Sequence, residues 1–273
     1  MLPELREDGL IGDNMKIVIK IGTSTLTYDN GCVNIRRIES LCKIVSDIKN
    51  SGHEVILVSS GAIGMGVGKL HLSDKPHDIA GKQACAAVGQ CELMYTYDKL
   101  FAEYNHTVAQ ILLTAPDLSC DDRLPKFVNT MKWLLDYGVL PIINENDTVA
   151  TEEIEFGDND TLAARVAVSV GADMLILLSD IDGLYTADPR NDPKATLISE
   201  VFDLKMVESF GGDAGTKRGT GGMITKLKAA RIATESGCDM VIINGAYPER
   251  LYEVMDGKGA GTTFYAGGKR NEK

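Results

Sequence analysis

Short apolar runs alternate with longer segments of helical periodicity along most of the chain. Runs rich in β-branched and aliphatic residues predict strands at 16–21, 54–58, 107–113, 139–143, 174–178, 240–243 and 262–265. Between them, apolar residues spaced three or four positions apart predict helices at 34–50, 82–104, 126–137, 161–170, 225–236 and 249–255. Continuous apolar strands separated by amphipathic helices indicate an α/β fold, in which a mostly parallel sheet is covered on both faces.

Small or polar residues follow directly after several of the predicted strands. These clusters occupy positions 22–25, 59–62, 144–147, 179–180 and 244–246. In open parallel sheets, ligands bind in the crevice outside the carboxyl ends of the strands. The sequence therefore predicts a functional site at that edge of the sheet. A further Gly-rich, polar stretch at 203–222 is predicted to be a loop.

The composition is that of an ordinary globular chain, since 44% of the 273 residues are hydrophobic and 25% are charged. The formal net charge of −11 argues against a nucleic-acid partner, which usually requires a basic surface. No apolar run approaches the roughly 20 residues that cross a bilayer. Residues 1–14 also lack the basic flank and apolar centre of a secretory signal. We therefore expect a cytoplasmic protein without a membrane partner.

Several familiar ligand motifs are missing from the sequence. It contains no Walker A pattern, no Gly-x-Gly-x-x-Gly dinucleotide fingerprint and no His-Glu-x-x-His. The four histidines and six cysteines are scattered without the spacing of metal ligands. No metal-binding residues are therefore predicted.

A lysine stands near the end of the first predicted strand, in Lys20-Ile-Gly22-Thr-Ser-Thr25. A buried lysine is costly unless its ammonium is paired, which makes this position unusual. The glycine and hydroxyls that follow allow close backbone approach, and the set suits a phosphate. The alternative is an edge-strand lysine that points to solvent.

Two glycine-rich segments also suit an anion. Ser59-Ser60-Gly61-Ala62 leads from a strand towards a helix start, and Gly219-Thr-Gly-Gly-Met-Ile-Thr225-Lys226 opens another helix. Backbone N–H groups at such positions bind anions, and Lys226 lies one turn inside the second helix. The alternatives are a tight packing turn for the first segment and a flexible loop for the second.

Carboxylates and carboxamides are concentrated in two neighbouring segments, Asn144-Glu-Asn-Asp147 and Phe156-Gly-Asp-Asn-Asp-Thr161. Asp158 is explained as a helix cap. The other groups suit the ammonium of an amino acid and are able to hold lysines in place. With Lys20 and Lys226, they indicate phosphoryl transfer, which depends mainly on positioning and charge stabilisation.

The ordered motifs resemble those of the glutamate 5-kinases, a branch of the amino acid kinase family. The matching segments, from about residue 15 to residue 264, are 18–24, 58–63, 82–83, 87–90, 143–147, 157–160, 183–189 and 219–226. The resemblance implies a three-layer α/β/α sandwich. It also implies ATP-dependent phosphorylation of the side-chain carboxylate of L-glutamate to L-glutamyl 5-phosphate, the first step of proline biosynthesis.

The same resemblance implies roles for individual residues. Lys20 and Lys226 would stabilise the transferred phosphoryl group, and Asp160 would hold both lysines. Ser60, Asp147 and Asn159 would bind glutamate. ATP would be bound by Lys20, Ser179, Asp180, Thr220, Gly221, Gly222, Met223, Ile224, Thr225 and Lys226. Mg²⁺ would be held mainly by the ATP phosphates.

The resemblance further implies an amino acid kinase domain at 15–266, between an extension at 1–14 and a tail at 267–273. Many members carry an additional C-terminal PUA domain, which we expect this chain to lack. L-Proline is the expected feedback inhibitor, with the loop at 148–156 closing over it, and a homodimer or homotetramer is the expected assembly.

Two alternatives stay open. One is a sibling kinase that acts on acetylglutamate, carbamate, aspartate or uridylate, and the other is a non-catalytic amino-acid sensor on the same fold.

Overall fold

The computed structural model describes residues 14–28, 32–150, 159–189, 191–207 and 221–267. The predicted extension at 1–14 and tail at 267–273 lie outside this part of the chain, except for Asn14 and Gly267. The domain boundaries predicted from the sequence therefore stay predictions.

Every predicted strand and helix is present, with shifts at the ends. The strands are β1 Lys16–Ile21, β2 Glu54–Ser59, β3 Val108–Leu113, β4 Leu140–Glu145, β5 Met174–Ser179, β6 Leu184–Tyr185, β7 Leu197–Ile198, β8 Glu200–Val201, β9 Asp239–Asn244 and β10 Thr262–Phe264. The helices are α1 Thr23–Leu26, α2 Ile35–Asn50, α3 Ala62–Lys69, α4 Ile79–Ala102, α5 Leu124–Asp136, α6 Asn159–Val170, α7 Gly221–Glu235 and α8 Arg250–Met255.

The main sheet has the strand order β3-β4-β2-β1-β5-β9-β10-β8. The first six strands in this order are parallel to one another. β10 pairs with β9 in the antiparallel sense and with β8 in the parallel sense. The prediction of a mostly parallel sheet is therefore confirmed. Because β1 lies inside the sheet, the edge-strand alternative for Lys20 is wrong.

Successive residues of the central strands face two separate cores. In β1, Ile17, Ile19 and Ile21 pack against apolar residues of α2, α4 and α8. Val18 belongs to the opposite core, with residues of α5, α6 and α7. Because side chains alternate along a strand, Lys20 points to the same side as Val18, towards α6 and α7. Helices on both faces confirm the three-layer α/β/α sandwich.

Some local structure was not predicted. The short helix α1 and the hairpin strands β6 and β7 give weak periodic signals, since they span only a few residues. α3 contains three glycines; the sequence predicts a helix start after the turn at 59–62 but gives no bounds for this helix. In the predicted loop at 203–222, Leu204–Met206 forms a 3₁₀ helix, and α7 already begins at Gly221. Because glycine has a low helix propensity, the sequence predicts that this helix begins only at residue 225.

The described residues were also compared with the requirements of a membrane-spanning helix and of a disulfide. None of the helices there combines the length and apolarity that a membrane crossing needs. None of the six cysteines, all of which lie in this part of the chain, forms a disulfide.

Candidate active site

The carboxyl ends of β1, β2, β4 and β5 meet at one edge of the sheet, because these strands are parallel. Two helices begin at this edge, α6 at Asn159 and α7 at Gly221. Their first turns bring residues from distant parts of the sequence against the strand ends. The polar clusters predicted at 22–25, 59–62 and 144–147 therefore share one site with the start of both helices.

Two lysines share one buried carboxylate, to which the hydroxyl of Thr225 also donates at 3.2 Å. We call Lys20, Asp160, Thr225 and Lys226 the lysine cluster. Nζ of Lys20 lies 2.7 Å from Oδ1 of Asp160. Nζ of Lys226 lies 3.1 Å from Oδ2 of the same carboxylate. The three charged residues are each at most 9% exposed. The predicted pairing of both lysines with Asp160 is thus present in the structure.

Electrostatics keep the carboxylate of Asp160 ionised. Burial alone would raise the pKa of Asp160, but the ammonium groups of Lys20 and Lys226 outweigh it and hold the pKa below its usual range. The cluster of two ammonium groups and one carboxylate keeps an excess of positive charge. It is therefore suited to attract an anion in a site screened from water.

The backbone leaves space beside the lysines. A Cβ atom added to Gly22 would lie 3.7 Å from Nζ of Lys20 and 3.3 Å from the carbonyl oxygen of Leu178. A side chain at position 22 would therefore occupy the place next to the ammonium. Nζ of Lys226 also donates to the carbonyl oxygen of Gly222, 3.2 Å away, which ties this side chain to the first turn of α7.

A second group consists of uncharged polar side chains, and we call Ser60, Gln90, Asn144 and Asn159 the amide cluster. Nδ2 of Asn159 donates to Oγ of Ser60 at 2.9 Å and to Oδ1 of Asn144 at 3.1 Å. Nδ2 of Asn144 donates in turn to Oε1 of Gln90 at 2.9 Å. These bonds join the ends of β2 and β4 to the start of α6 and to α4.

The turn that presents Ser60 is fixed by backbone geometry and by a buried tyrosine. Gly61, at the start of α3, has φ of 96°, a left-handed conformation that favours glycine. Behind the turn, the fully buried hydroxyl of Tyr97 lies 3.0 Å from Oγ of Ser59. The hydroxyl of Ser59 lies 3.1 Å from the carbonyl oxygen of Ser60.

The remaining predicted site residues are spread along the same edge. Asp147 lies half-buried in the turn after β4, and Asp180 is exposed directly after β5. The hydroxyl of Ser179 donates to Oδ1 of Asp180 at 3.1 Å. The helix α7 begins with Gly221, Gly222, Met223, Ile224, Thr225 and Lys226. Thr220 and the predicted loop residues Glu152, Glu153 and Ile154 lie outside the described residues.

Sequence reasoning missed Gln90 and Tyr97 as parts of the site. The sequence marks Gln90 only as a member of the motif Ala87-Val-Gly89-Gln90, and it predicts no role for Tyr97 beyond its place in a helix. Both lie on α4, whose apolar character predicts a packing helix and not a site element. A polar residue on the buried face of such a helix is the signal that could have identified them.

Comparison with known sequences places the chain among amino acid kinases. A protein named glutamate 5-kinase from Clostridium perfringens is 52% identical over 259 residues, which are 93% of this chain and 96% of that protein. One from Clostridium tetani is 55% identical over 93% of this chain and 96% of that protein. A third, from Carboxydothermus hydrogenoformans, is 50% identical over 94% of this chain and 70% of that protein.

Solved structures of lower identity share the fold. Carbamate kinase from Giardia lamblia, bound to AMP-PNP, has a TM-score of 0.63 at 18% identity, covering 92% of this chain and 98% of that chain. UMP kinase from Ureaplasma parvum has a TM-score of 0.62 at 16% identity, covering 93% and 99%. The sequence model described as the amino acid kinase family matches residues 15–244. The chain belongs to the amino acid kinase family.

Proposed function

We propose that this chain transfers the γ-phosphoryl group of ATP to the side-chain carboxylate of L-glutamate and forms L-glutamyl 5-phosphate, the first step of proline biosynthesis. The observation that carries the proposal is the pair of lysines on one buried carboxylate, directly beside the amide cluster. Two relatives named glutamate 5-kinase are 52% and 55% identical over nearly the whole chain. They support glutamate as the substrate in preference to the substrates of other family members.

The reaction needs no nucleophile from the protein. A carboxylate oxygen of glutamate attacks the γ-phosphorus, the new O–P bond forms, and the bond from phosphorus to the bridging β,γ-oxygen breaks as ADP leaves. The attacking carboxylate is already ionised at neutral pH, so no general base is required. Catalysis then consists of holding the reactants in line and stabilising charge on the phosphoryl oxygens, the role proposed for Lys20 and Lys226.

Asp160 is proposed to hold the lysines and not to react. Each of its carboxylate oxygens faces one ammonium group. This arrangement sets the distance between the two cations before ATP arrives. Charges placed in advance cost no reorganisation at the moment of reaction.

Glutamate is proposed to bind at Ser60 and Asn159 of the amide cluster and at the turn after β4. Ser60, Asp147 and Asn159 would hold the amino-acid end, so that the side-chain carboxylate extends towards the lysine cluster. Asn159 and Asp160 are consecutive residues at the start of α6 and belong to different clusters. One helix start would therefore set the spacing between the substrate and the phosphoryl group.

ATP is proposed to bind along Ser179 and Asp180 and at the segment 220–226. The start of a long helix with two glycines offers backbone N–H groups for the phosphates. Among the described residues, no group of three His, Cys, Asp or Glu side chains could hold a metal ion. We therefore propose that Mg²⁺ arrives on the ATP phosphates, where it would neutralise their charge.

Trapping the acyl phosphate with hydroxylamine tests the proposal. Purified protein, ATP and Mg²⁺ are incubated with L-glutamate, L-aspartate or N-acetyl-L-glutamate, and the hydroxamate and ADP are measured. A displacement of about 1 Å can cost on the order of 100-fold in rate. We therefore expect glutamate to exceed aspartate by about that factor. Equal rates with aspartate would refute the proposed binding mode, and preference for N-acetylglutamate would indicate a sibling kinase.

The test also covers the non-catalytic alternative. A sensor would bind the amino acid and ATP without forming ADP. Binding of glutamate by calorimetry, together with an absence of hydroxamate under all conditions, would favour a sensor and contradict the kinase proposal.

We also propose that L-proline inhibits the enzyme at the glutamate site. Proline has the same α-carboxylate and a secondary ammonium, and Ser60, Asp147 and Asn159 would hold these groups without a side-chain carboxylate. Closure of the loop at 148–156 over the smaller ligand is part of this proposal. Substitutions at Glu152, Glu153 or Ile154 are expected to weaken inhibition more than catalysis, because none is assigned to the phosphoryl path.

Initial rates at varied glutamate and fixed proline decide this point. Competitive inhibition towards glutamate, but not towards ATP, is the expected pattern. Inhibition that saturating glutamate does not relieve would indicate a separate proline site.

We propose that the protein forms a homodimer or homotetramer and that it is located in the cytoplasm. The neighbouring rings of Trp133 and Tyr137, which are tilted by 38° to each other and are 57% and 70% exposed, are candidates for a covered surface. Light scattering coupled to size-exclusion chromatography measures the assembly. A mass equal to one chain would contradict it.

A further inference from the structure

The long helix α4 contains a polar side chain that the proposed reaction does not use. Gln90 is 9% exposed, and its Oε1 accepts a hydrogen bond from Nδ2 of Asn144. The two residues are 54 positions apart in the sequence, and Gln90 reaches the end of β4 from the helix layer. Gln90 is not among the residues proposed for catalysis or for binding of the substrate. Its hydrogen bond to Asn144, next to those residues, therefore needs an explanation.

The hydrogen bonds determine how the amide of Asn144 is oriented. The backbone N–H of Glu145 donates to Oδ1 of Asn144 at 2.9 Å. Only the oxygen end of an amide can accept this bond, so Nδ2 must point the other way. There it meets the oxygen of Gln90. Gln90 therefore satisfies the buried donor end of Asn144 and holds the amide in this orientation.

Asn144 passes this orientation on to Asn159. Oδ1 of Asn144 accepts from Nδ2 of Asn159, which also lies 2.9 Å from Oγ of Ser60 and 2.9 Å from the carbonyl oxygen of Ser59. With its nitrogen turned inwards, Asn159 presents its oxygen away from these partners. An amide oxygen is an acceptor, and an acceptor is what the ammonium group of an amino acid requires.

We infer that Gln90 is a positioning residue for amino-acid binding, which acts through Asn144 on Asn159 and Ser60 without touching the substrate. This inference rests on the proposed function. Replacing Gln90 by an apolar side chain of similar size leaves Nδ2 of Asn144 buried without its acceptor. The amide of Asn144 then shifts to find another partner, and the contact of its Oδ1 with Nδ2 of Asn159 is weakened, which leaves this Nδ2 held, among the described residues, only by Ser59 and Ser60.

The chain offers matched variants for the test. Gln90→Met removes the acceptor and nearly conserves volume. Gln83→Met makes the same substitution two turns earlier on α4. Gln83 is half-buried, and its side chain makes no hydrogen bond to the residues that the structure describes. Asn144→Leu removes the intermediate group, and the double variant Gln90→Met/Asn144→Leu completes a cycle.

The expected result is selective for the amino acid. Gln90→Met should raise KM for glutamate about 5- to 10-fold, in line with the loss of one buried hydrogen bond. KM for ATP should stay within about 2-fold, and Gln83→Met should match wild type. KM for glutamate should be no higher in the double variant than in Asn144→Leu alone, because Gln90 has nothing to orient once Asn144 is replaced.

Several results would overturn the inference. One is an unchanged KM for glutamate in Gln90→Met. Another is an equal rise in both KM values or an equal effect of Gln83→Met, which would indicate a general disturbance of α4. Effects that multiply in the double variant would show that Gln90 does not act through Asn144. Wild-type activity is measured first, since its absence would defeat the proposed function and not this inference alone.

Discussion

The lysine cluster and the amide cluster meet at the start of α6, but they are held in different ways. In the lysine cluster, Asp160 faces two ammonium groups, and attraction between charges acts in all directions. In the amide cluster, each bond has a donor end and an acceptor end, so orientation decides whether a contact forms. The first cluster is suited to stabilise charge on a phosphoryl group, whereas the second is suited to recognise a substrate.

This difference predicts different failures. Removing a charge from the lysine cluster should affect the chemical step and the stability of the fold. Removing a polar group from the amide cluster should mainly affect the binding of the amino acid. The following predictions test this contrast, from the largest expected effect to the smallest.

Asp160→Asn should have the largest effect on stability. The substitution leaves two buried ammonium groups without their shared carboxylate, and breaking a buried ion pair in this way typically costs about 3–5 kcal/mol. Urea denaturation at neutral pH measures the free energy of unfolding. Asp98→Asn, an exposed position on α4, should stay within about 0.5 kcal/mol of wild type.

The stability difference between wild type and Asp160→Asn should also depend on pH. Because the pKa of Asp160 is lowered in the folded protein, its contribution is complete above the unfolded pKa of about 3.9. It is lost as pH falls through the lower folded pKa. The difference should therefore be constant from about pH 7 to pH 5 and shrink below about pH 4. A difference that grows in acid would contradict the pairing.

Lys20→Met and Lys226→Met should each lower kcat roughly 100- to 1,000-fold, as expected when one donor to the transition state is lost. KM for glutamate should change much less. Steady-state assays of ADP formation measure both constants. Lys228→Met, exposed on the same helix as Lys226, is the matched control and should retain normal turnover. Near-normal kcat in either cluster variant would remove that lysine from the proposed mechanism.

Gly89→Ala should destabilise the packing of α3 against α4, the helix that carries Gln90 of the amide cluster. A Cβ atom at Gly89 would lie 1.8 Å from the carbonyl oxygen of Ala62, where α3 packs against α4. Such overpacking typically costs about 1–3 kcal/mol, measured by thermal or urea unfolding. Gly64→Ala on α3 is the control, because its Cβ would meet its nearest neighbour, Thr23, at 3.5 Å. Equal stability of the two variants would contradict the close contact between the helices.

Ser60→Ala should have the smallest of these effects and a selective one. Loss of one neutral hydrogen bond typically costs about 0.5–1.5 kcal/mol, which corresponds to a rise of roughly 2- to 12-fold in KM for glutamate. KM for ATP and kcat should stay close to those of wild type. If kcat fell as far as in the lysine variants, the two clusters would not be separable in function.

The fold was largely predictable because its strands and helices have clear periodicity. The run at Lys16–Ile21 and the stripe of α2 predict their elements from local sequence alone. The lysine cluster was also within reach, since a lysine in an apolar strand needs a buried partner. The partner of Gln90 could not be predicted, because Asn144 is 54 residues away and only the packing of α4 against the sheet brings the two side chains together.

The sequence by itself determined the class of fold, the edge of the sheet that carries the site, and the residue types for phosphoryl transfer. These follow from local pattern and from the chemistry of individual side chains. The tertiary structure decided the strand order, the interior position of β1, and the direction of each amide in the site. The physical reason is that a hydrogen bond between Asn159 and Ser60 joins residues 99 positions apart, and local periodicity carries no information about which distant strands become neighbours.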